Sequence, residues 1–511
     1  MRKISLTEKQ KNNLLVFALS FLAFFMVYCG FLNHSFTSDH ANVFMRKDVV
    51  FGRPSLNPWY YIKTLQGLNA LYNWTQYIFY LFGVTKDSNQ YILQIYTFMM
   101  MAFATSLLFS LYQKFFESKR QKLLLVAILL ISFINPYFCE VLLYIAYEKV
   151  YGVIAAIFGT ILFSRKKYIW SFILVMLAIT SYQVNFVFFL VYASTWIYLS
   201  AKGDMNKGVL LSYLKMYLIM IIPGSIFVLM YALYSKWGIG AYIGKIIPLE
   251  DTFIQRLICV KNRYREIMIT QQGLLPRYFL AISFLIFSIL CVIFLQKKSV
   301  KNILFTIVHA ICLSLYPAIL FFIATNAPAS GRIVWCSFAA LAGVAIAMLM
   351  NVDNKKWKIN IVIPVVALFY CINIYSVSST ITNIYKSNAL DEQIIDQVVA
   401  QIENYERETG ISIKKIAASS NSNSKYSYPQ VGFLGMDYSN GDAGYYNFTH
   451  KTMKDVWADA ELFIYITGRP YEIAYISDDI WEEHFAGKTW ETFNPQEQLY
   501  FEGDTVYWCI Y

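Results

Sequence analysis

The run LLVFALSFLAFFMVYCGFL, residues 14–32, decides how the rest of the chain is read. It holds no charged residue and is about as long as the roughly 20-residue helix that crosses a hydrocarbon core about 30 Å thick. Arg2, Lys3, Lys9 and Lys11 stand before it, as basic residues stand before a secretory signal. The run is nevertheless longer than the about 7–15 apolar residues of such a signal, and no small-x-small cleavage site follows. It is expected to stay in the membrane as an anchor. The stretch behind it, NHSFTSDHANVFMRKDVVFGRPSLNPWYYIK (residues 33–63), is the first part of the chain forced into water.

Composition extends this reading to the whole chain. Of 511 residues, 57% are hydrophobic and only 15% charged, with a mean hydropathy of +0.45. Soluble domains carry about 25% charged residues, so a polytopic α-helical membrane protein is expected. The net charge of +11 would also suit a nucleic-acid binder. In a membrane protein, however, basic excess belongs to cytoplasmic loops, and no nucleic-acid partner is expected. The eight cysteines fall mostly inside apolar runs and form no C-x-x-C pair, so they read as small buried apolar residues, with no disulfide framework or zinc site.

About eleven apolar runs qualify as transmembrane helices: 14–32, 91–112, 123–135, 144–163, 169–181, 184–199, 209–234, 278–295, 303–324, 333–350 and 359–379. The Lys/Arg clusters lie at the N-terminus and at 114–122, 165–167, 202–207, 297–301 and 355–358. Each falls in an alternate loop, all on one side. That regularity gives an N-inside, C-outside protein. Residues 65–84, LQGLNALYNWTQYIFYLFGV, are apolar enough for lipid, but as a full span they would invert the later loops. They read as an interfacial or re-entrant helix on the outer face.

Past residue 379 the composition changes, giving a transmembrane domain at 1–385 and a small extracytoplasmic α/β domain at 386–511. Within the latter, 391–408 reads as an amphipathic helix, 411–418 and 462–467 as strands, 431–447 as a loop, and 499–511 as a hairpin around Glu502-Gly503-Asp504.

Most polar residues that break apolar runs fall on the outer side. They are Asp39 and His40, Asp48, Arg53, Asn135-Pro136 with Glu140, Glu148 after Tyr147, the Ser181-Tyr182-Gln183 step, the loop 236–273, and 326–332. Charge at a membrane boundary is costly, so a converging set marks a water-filled cavity. Asp39, just past the first span, is placed to act as a general base at the membrane surface. Asp48 reads either as a second carboxylate in that cleft or as a surface partner of Arg46 or Lys47. In FIQRLICVKNRYREIM (residues 253–268), apolar residues and arginines separate on a helix. Arg256 and Arg263 there, and Arg332 opening a later span, are candidate phosphate ligands, a planar guanidinium fork being suited to phosphate; the alternative is a plain amphipathic helix on anionic lipid. His309, alone in an apolar run, reads as a helix–helix hydrogen-bonding residue. No P-loop, G-x-S-x-G, H-E-x-x-H or G-x-G-x-x-G is present.

The Asp39 loop with Gly52-Arg53, INPYFCEVLLYIAYE (residues 134–148), TSYQVNFVFFLVYA (residues 180–193) and the late Arg332 together resemble the Gtr type II glucosyltransferases. These are type C glycosyltransferases that decorate O-antigen and related bacterial surface (cell wall) polysaccharides. The resemblance covers about residues 14–379. It implies a place in the bacterial cytoplasmic (inner) membrane, a polyprenyl-phosphate sugar donor at the outer leaflet, a polysaccharide acceptor, and transfer of a hexose of the glucose type. Asp39 matches the family's loop carboxylate, Arg53 its Gly-Arg, Tyr147-Glu148 its Tyr followed by an acid, and Gln183 its Tyr-Gln step. Ser38-Asp39 stands where the family often has paired acids, and Glu148 where it has Asp. These departures leave sugar identity and metal requirement open, and the sequence itself calls for no metal or cofactor.

The expected chemistry is transfer with Asp39 as catalytic base and with Asp48, Arg53, Glu148, Gln183, Arg256, Arg263 and Arg332 binding substrate. Two other readings stay open: a surface-polysaccharide polymerase or ligase, which relies on arginine and histidine in a later loop, and a lipid-linked glycan transporter, which needs ionisable residues in mid-span.

Overall fold

The computed structural model describes residues 7–32, 69–82, 91–143, 148–236, 251–270, 274–296, 298–326, 331–352, 356–419, 463–464, 466–488, 490 and 493–509. Asp39, Asp48 and Arg53 lie outside the described residues, as does the 431–447 loop.

Every apolar run named above contains a helix. The first six are α1 (Glu8–Tyr28), continued by a 3₁₀ turn Cys29–Leu32, α3 (Tyr91–Tyr112), α4 (Lys119–Leu130), α6 (Glu148–Ser164), α7 (Tyr168–Ser181) and α8 (Asn185–Ser200). The others are α9 (Lys207–Lys236), α11 (Phe279–Phe294), α12 (Val300–Ile323), α14 (Cys336–Met350) and α15 (Lys356–Thr409). Shorter helices lie between them: α2 (Asn69–Leu81), α5 (Phe138–Leu143), α10 (Phe253–Arg265) and α13 (Gly331–Val334). Among the described residues, five helical stretches are long and apolar enough to cross a membrane: Glu8–Leu32, Tyr91–Phe115, Lys207–Met230, Val300–Ile323 and Trp357–Lys386. Shorter apolar helices stand among them at Lys149–Ser164, Tyr168–Ser181, Asn185–Ser200, Phe279–Phe294 and Cys336–Met350. With backbone polar groups paired inside each segment, this is how a chain meets lipid.

Two helices form the axis of the bundle. In α14, every residue from Cys336 to Leu349 is buried, and α8 is buried along almost its whole length. A helix that is apolar on every side must be enclosed by others, and α8 and α14 pack on each other and on α6, α9, α11 and α12. They approach closely because Gly343 lacks a side chain. A Cβ there would lie 2.7 Å from Thr195 Oγ1, and that hydroxyl donates to Val191 O at 2.7 Å. Small residues at such contacts are how helices associate without a hydrophobic drive from lipid. The outer helices leave apolar side chains exposed, among them Leu210, Leu214, Leu218 and Ile221 on α9 and Ile282, Leu285 and Ile289 on α11. Cys139, Cys291 and Cys336 are buried, whereas Cys29 and Cys371 are exposed, so cysteine serves here on outward faces as well as in the core.

Described residues of several basic clusters gather at one end of the bundle. A cavity of about 660 Å³ there is lined by Lys114, Gln121, Lys202, Gln296, Asn302 and Asn351, among others. Lys358 reaches the same region, its Nζ donating to Asn351 O at 2.8 Å and Phe294 O at 3.2 Å. The start of α1 joins them, with Gln113 Nε2 donating to Asn13 Oδ1 at 3.2 Å. In the bundle interior, Tyr213 Oη lies 3.2 Å from His309 Nδ1, so His309 does link two helices, α9 and α12.

At the opposite end, α15 continues without a break past residue 386, so the boundary between 385 and 386 falls within one helix. Its far end packs on a four-stranded sheet of order β2-β1-β4-β3: β1 (Lys415–Ser419), β2 (Glu472–Ile473), β3 (Leu499–Glu502) and β4 (Thr505–Cys509). β1 runs parallel to β2 and β4, while β3 and β4 form the expected hairpin, turning at Gly503 with φ +57°. The described residues of the 462–467 segment are not in a strand. Phe463, Ile464, Ile466 and Thr467 are helical, and Gly468, at φ +69°, ends the turn by donating its N–H to Ile464 O at 2.9 Å. A left-handed glycine just after an apolar stretch is a helix C-terminal signal, and it outweighs the β-branched content there. Ile394, Ile395, Val398 and Ile402 of α15 share a core with Ile416, Val506 and Trp508. Leu93 of α3 and Tyr151 of α6 belong to that same core, so this part of the chain rests on the bundle.

Candidate functional site

The end of the bundle away from the basic clusters is built around Tyr28. Its single hydroxyl proton is shared between the backbone oxygens of Phe133, at 2.6 Å, and Asn135, at 3.0 Å, and its oxygen accepts from Asn135 N at 3.1 Å. The last turn of α1 is thus pinned to the Asn135-Pro136 bend, and the chain carrying Asp39 leaves from this point. The bend is itself a local structure: Asn135 Oδ1 accepts from Phe138 N at 3.1 Å, which starts α5. Tyr28→Phe would leave a buried N–H of Asn135 without its acceptor. The expected cost is about 1–3 kcal/mol, read as a lower melting temperature of the detergent-solubilised protein against wild type.

Next to this bend, α5 carries the buried Glu140 and packs against α13, which carries Arg332. The joint is aromatic. Trp335 is fully buried, with its ring 4.6 Å from that of Phe188, 4.9 Å from Phe138 and 6.0 Å from Phe133. The position of α13, and with it the backbone of Arg332, is fixed by this cluster.

A third component comes from the start of α6. Glu148 opens the helix, and one turn later Gly152 allows α8 to press against it. A Cβ on Gly152 would lie 1.8 Å from Asn185 Nδ2 and 2.2 Å from Ser181 Oγ, groups that bond each other at 2.8 Å. This close approach brings the first turn of α6 to the Tyr182-Gln183 step between α7 and α8. Lys149 is buried with its Nζ 4.7 Å above the ring of Tyr182, and Gln183 is half-buried beside it. Lys149 escaped the sequence reading, where a lysine after Tyr147-Glu148 passes for an ordinary boundary charge. The signal available was its place at a helix N-terminus, where a cation is not favoured by the dipole and so needs another reason.

The two arginines of α10 expected at the site, Arg256 and Arg263, are engaged elsewhere. Arg256 Nη1 donates to Phe322 O at 3.0 Å and Ile323 O at 3.1 Å, satisfying carbonyls at the end of α12. Arg263 Nη1 meets Glu266 Oε2 at 2.7 Å, and its guanidinium lies 5.6 Å over the Phe321 ring. Both tie α10 to α12. Among the expected site residues, the backbone of Glu148 stands one turn from the Gly152 contact near the Tyr182-Gln183 step, and that of Arg332 lies on α13 against α5, while Arg256 and Arg263 hold the neighbouring helix in place. Among the described residues no group of three or more His, Cys, Asp or Glu is gathered closely enough to hold a metal ion.

A chain of hydroxyls closes the edge formed by α2, α3 and α6. Thr75 Oγ1 donates to Leu71 O at 2.7 Å and stands 2.9 Å from Tyr151 Oη, which stands 2.8 Å from Tyr96 Oη. Since the single proton of Thr75 goes to Leu71, Tyr151 donates to Thr75 and Tyr96 donates to Tyr151. This holds α2 against α3 and α6, one turn from Glu148. The helix leaves Leu71, Trp74, Ile78 and Leu81 exposed at helical spacing. No family model, curated protein or solved structure matches this chain.

Proposed function

We propose that this chain is an integral-membrane glycosyltransferase of eleven spans, N-inside, with residues 386–511 forming an α/β domain outside the cell. It moves a hexose of the glucose type from a polyprenyl-phosphate donor to a surface polysaccharide. The observation that carries this reading is the convergence at one end of the bundle. The exit of α1 toward Asp39, the Glu140 and Arg332 elements, and the Glu148, Lys149 and Gln183 turn meet there, while the basic clusters lie at the other end.

In the proposed step, an acceptor hydroxyl gives its proton to Asp39 as its oxygen attacks the anomeric carbon. The bond from that carbon to the phosphate oxygen breaks, and its electron pair leaves with the polyprenyl phosphate. Arg332 and Lys149 stabilise the charge that develops on the departing phosphate, in a site held ready before reaction. Arg256 and Arg263 are already engaged with α12, so they contribute by fixing the segment that leads to Arg332. The aromatic-rich outer part, which rests on Tyr151, orients the acceptor glycan beside Glu148.

The middle of α8 and α14 argues against the transporter reading. It is close-packed apolar core around Phe338, Leu341, Phe189 and Leu190, with no line of ionisable groups along it. The polymerase or ligase reading predicts growth of chain length instead of addition of a branch. The direct test uses the purified full-length protein in lipid nanodiscs with labelled polyprenyl-phosphate glucose and unbranched polysaccharide. Label is expected to enter polysaccharide as polyprenyl phosphate is released, and no transfer from any polyprenyl-phosphate hexose would refute the proposal.

A further inference from the structure

The basic residues of α10 divide into two sets. Arg256 and Arg263 turn inward to α12, whereas Lys261 and Arg265 are exposed and make no ion pair or hydrogen bond with another described residue. They extend a continuous stripe. Phe253, Ile254, Leu257 and Ile258 are 48–68% exposed, and Lys261 and Arg265 follow at the i+3 and i+4 spacings of one helical face. The face is thus apolar over its first two turns and basic over its last two. Like charges four residues apart repel on a helix, a strain that an anion between them relieves. The helical stretch runs on through a π-turn at Glu266–Thr270, so neither residue stands at its C-terminal end, where the dipole would favour a cation.

We infer that this face binds an anionic phospholipid, with Lys261 and Arg265 on its phosphate and the Phe253–Ile258 stripe against its acyl chains. Charge selects an anion, and the adjoining apolar stripe selects one carried on a lipid. Among the described residues the face is an open helix side, which suits a lipid exchanging with the bilayer and not a substrate held for reaction. Assignment of this lipid to the outer leaflet rests on the orientation proposed above.

The contact has a route to the candidate site. Thr252 and Gln255 cap α10 reciprocally, Arg256 binds the last carbonyls of α12, and Cys259 Sγ donates to Thr325 O at 3.4 Å. Thr325 Oγ1 donates in turn to Asp251 Oδ2 at 2.5 Å. A lipid that steadies α10 therefore steadies residues 322–326, which lead to Arg332.

Hydrogen exchange on the full-length protein tests this locally, in nanodiscs of phosphatidylcholine alone or with phosphatidylglycerol, and with no sugar present. Amides of 253–265 and 322–326 are expected to exchange about tenfold more slowly with phosphatidylglycerol. K261Q/R265Q should lose this difference while keeping wild-type exchange in phosphatidylcholine. Arg263→Gln, altered on the inward face, should retain it. Equal exchange of the wild type in both discs, or a lipid dependence that survives in the double variant, overturns the inference. So does protection elicited in phosphatidylcholine by polyprenyl phosphate and not by phosphatidylglycerol, which would make the face a donor site. None of these readings depends on transfer, so the lipid site and the transferase reading fail separately.

Discussion

Asp39→Asn is expected to lower hexose transfer by about 10²–10⁴-fold, the range ascribed to loss of a positioned general base. Asparagine matches aspartate in size but cannot take up the acceptor proton at neutral pH, so binding should be largely kept and turnover lost. The pattern to look for is a fall in kcat with KM for the polyprenyl-phosphate donor little changed, which marks an interaction made in the transition state. A variant that loses affinity for the donor while keeping kcat would make Asp39 a binding residue instead. The position of Tyr28 gives the expectation its physical footing. It clamps the end of α1, eleven residues before Asp39 in the sequence, to the Asn135 bend beside α5.

Gly152→Val should be nearly as damaging by a different route. The first atom of any side chain at this position would overlap Asn185 Nδ2 and Ser181 Oγ, so α6 and α8 would have to separate. Overpacking of this kind costs about 1–3 kcal/mol, and here it also breaks the bond between those two polar groups. Because Glu148 and Lys149 sit one turn away, their alignment with the Tyr182-Gln183 step would be lost as well. Expected outcomes are a lower melting temperature in detergent and transfer reduced at least tenfold even where the protein still inserts. Gly224→Ala is the control: a Cβ there meets nothing within 4 Å, and both readouts should stay near wild type. Gly152→Val with wild-type stability and activity would show that the junction is looser than described.

The helices were legible in the sequence because lipid leaves little choice. An apolar run near 20 residues must pair its own backbone, and each run named from the sequence contains a helix. The amphipathic stretch 65–84 was legible for a related reason. Its Leu71, Trp74, Ile78 and Leu81 recur on one face, and they remain exposed on α2. The 462–467 segment shows where local pattern fails: six apolar-rich residues fit a strand or a helical turn equally well, and only Gly468 decides.

The site was less legible because its geometry depends on partners distant in sequence. Nothing near Arg256 reveals that carbonyls at Phe322 and Ile323 will face it, so an arginine that finishes a helix end looks the same as one that waits for phosphate. Lys149 is the reverse case. Its neighbour Tyr182 lies on another helix, and burial of the ammonium follows from Gly152, which the sequence presents as an ordinary glycine in a span. The boundary at 385 and 386 followed a change in composition, but the backbone of α15 continues through it, so the composition marks where the helix leaves its apolar surroundings and not where it ends.

The measurement that tests the central claim most directly is the surface-glycan composition of cells carrying the wild-type protein, Asp39→Asn, or a deletion of the gene. If the chain is the proposed transferase, one monosaccharide side branch disappears in both altered strains while the backbone keeps its length distribution. A collapse of chain length, or an Asp39→Asn strain whose glycan is indistinguishable from wild type, would contradict it.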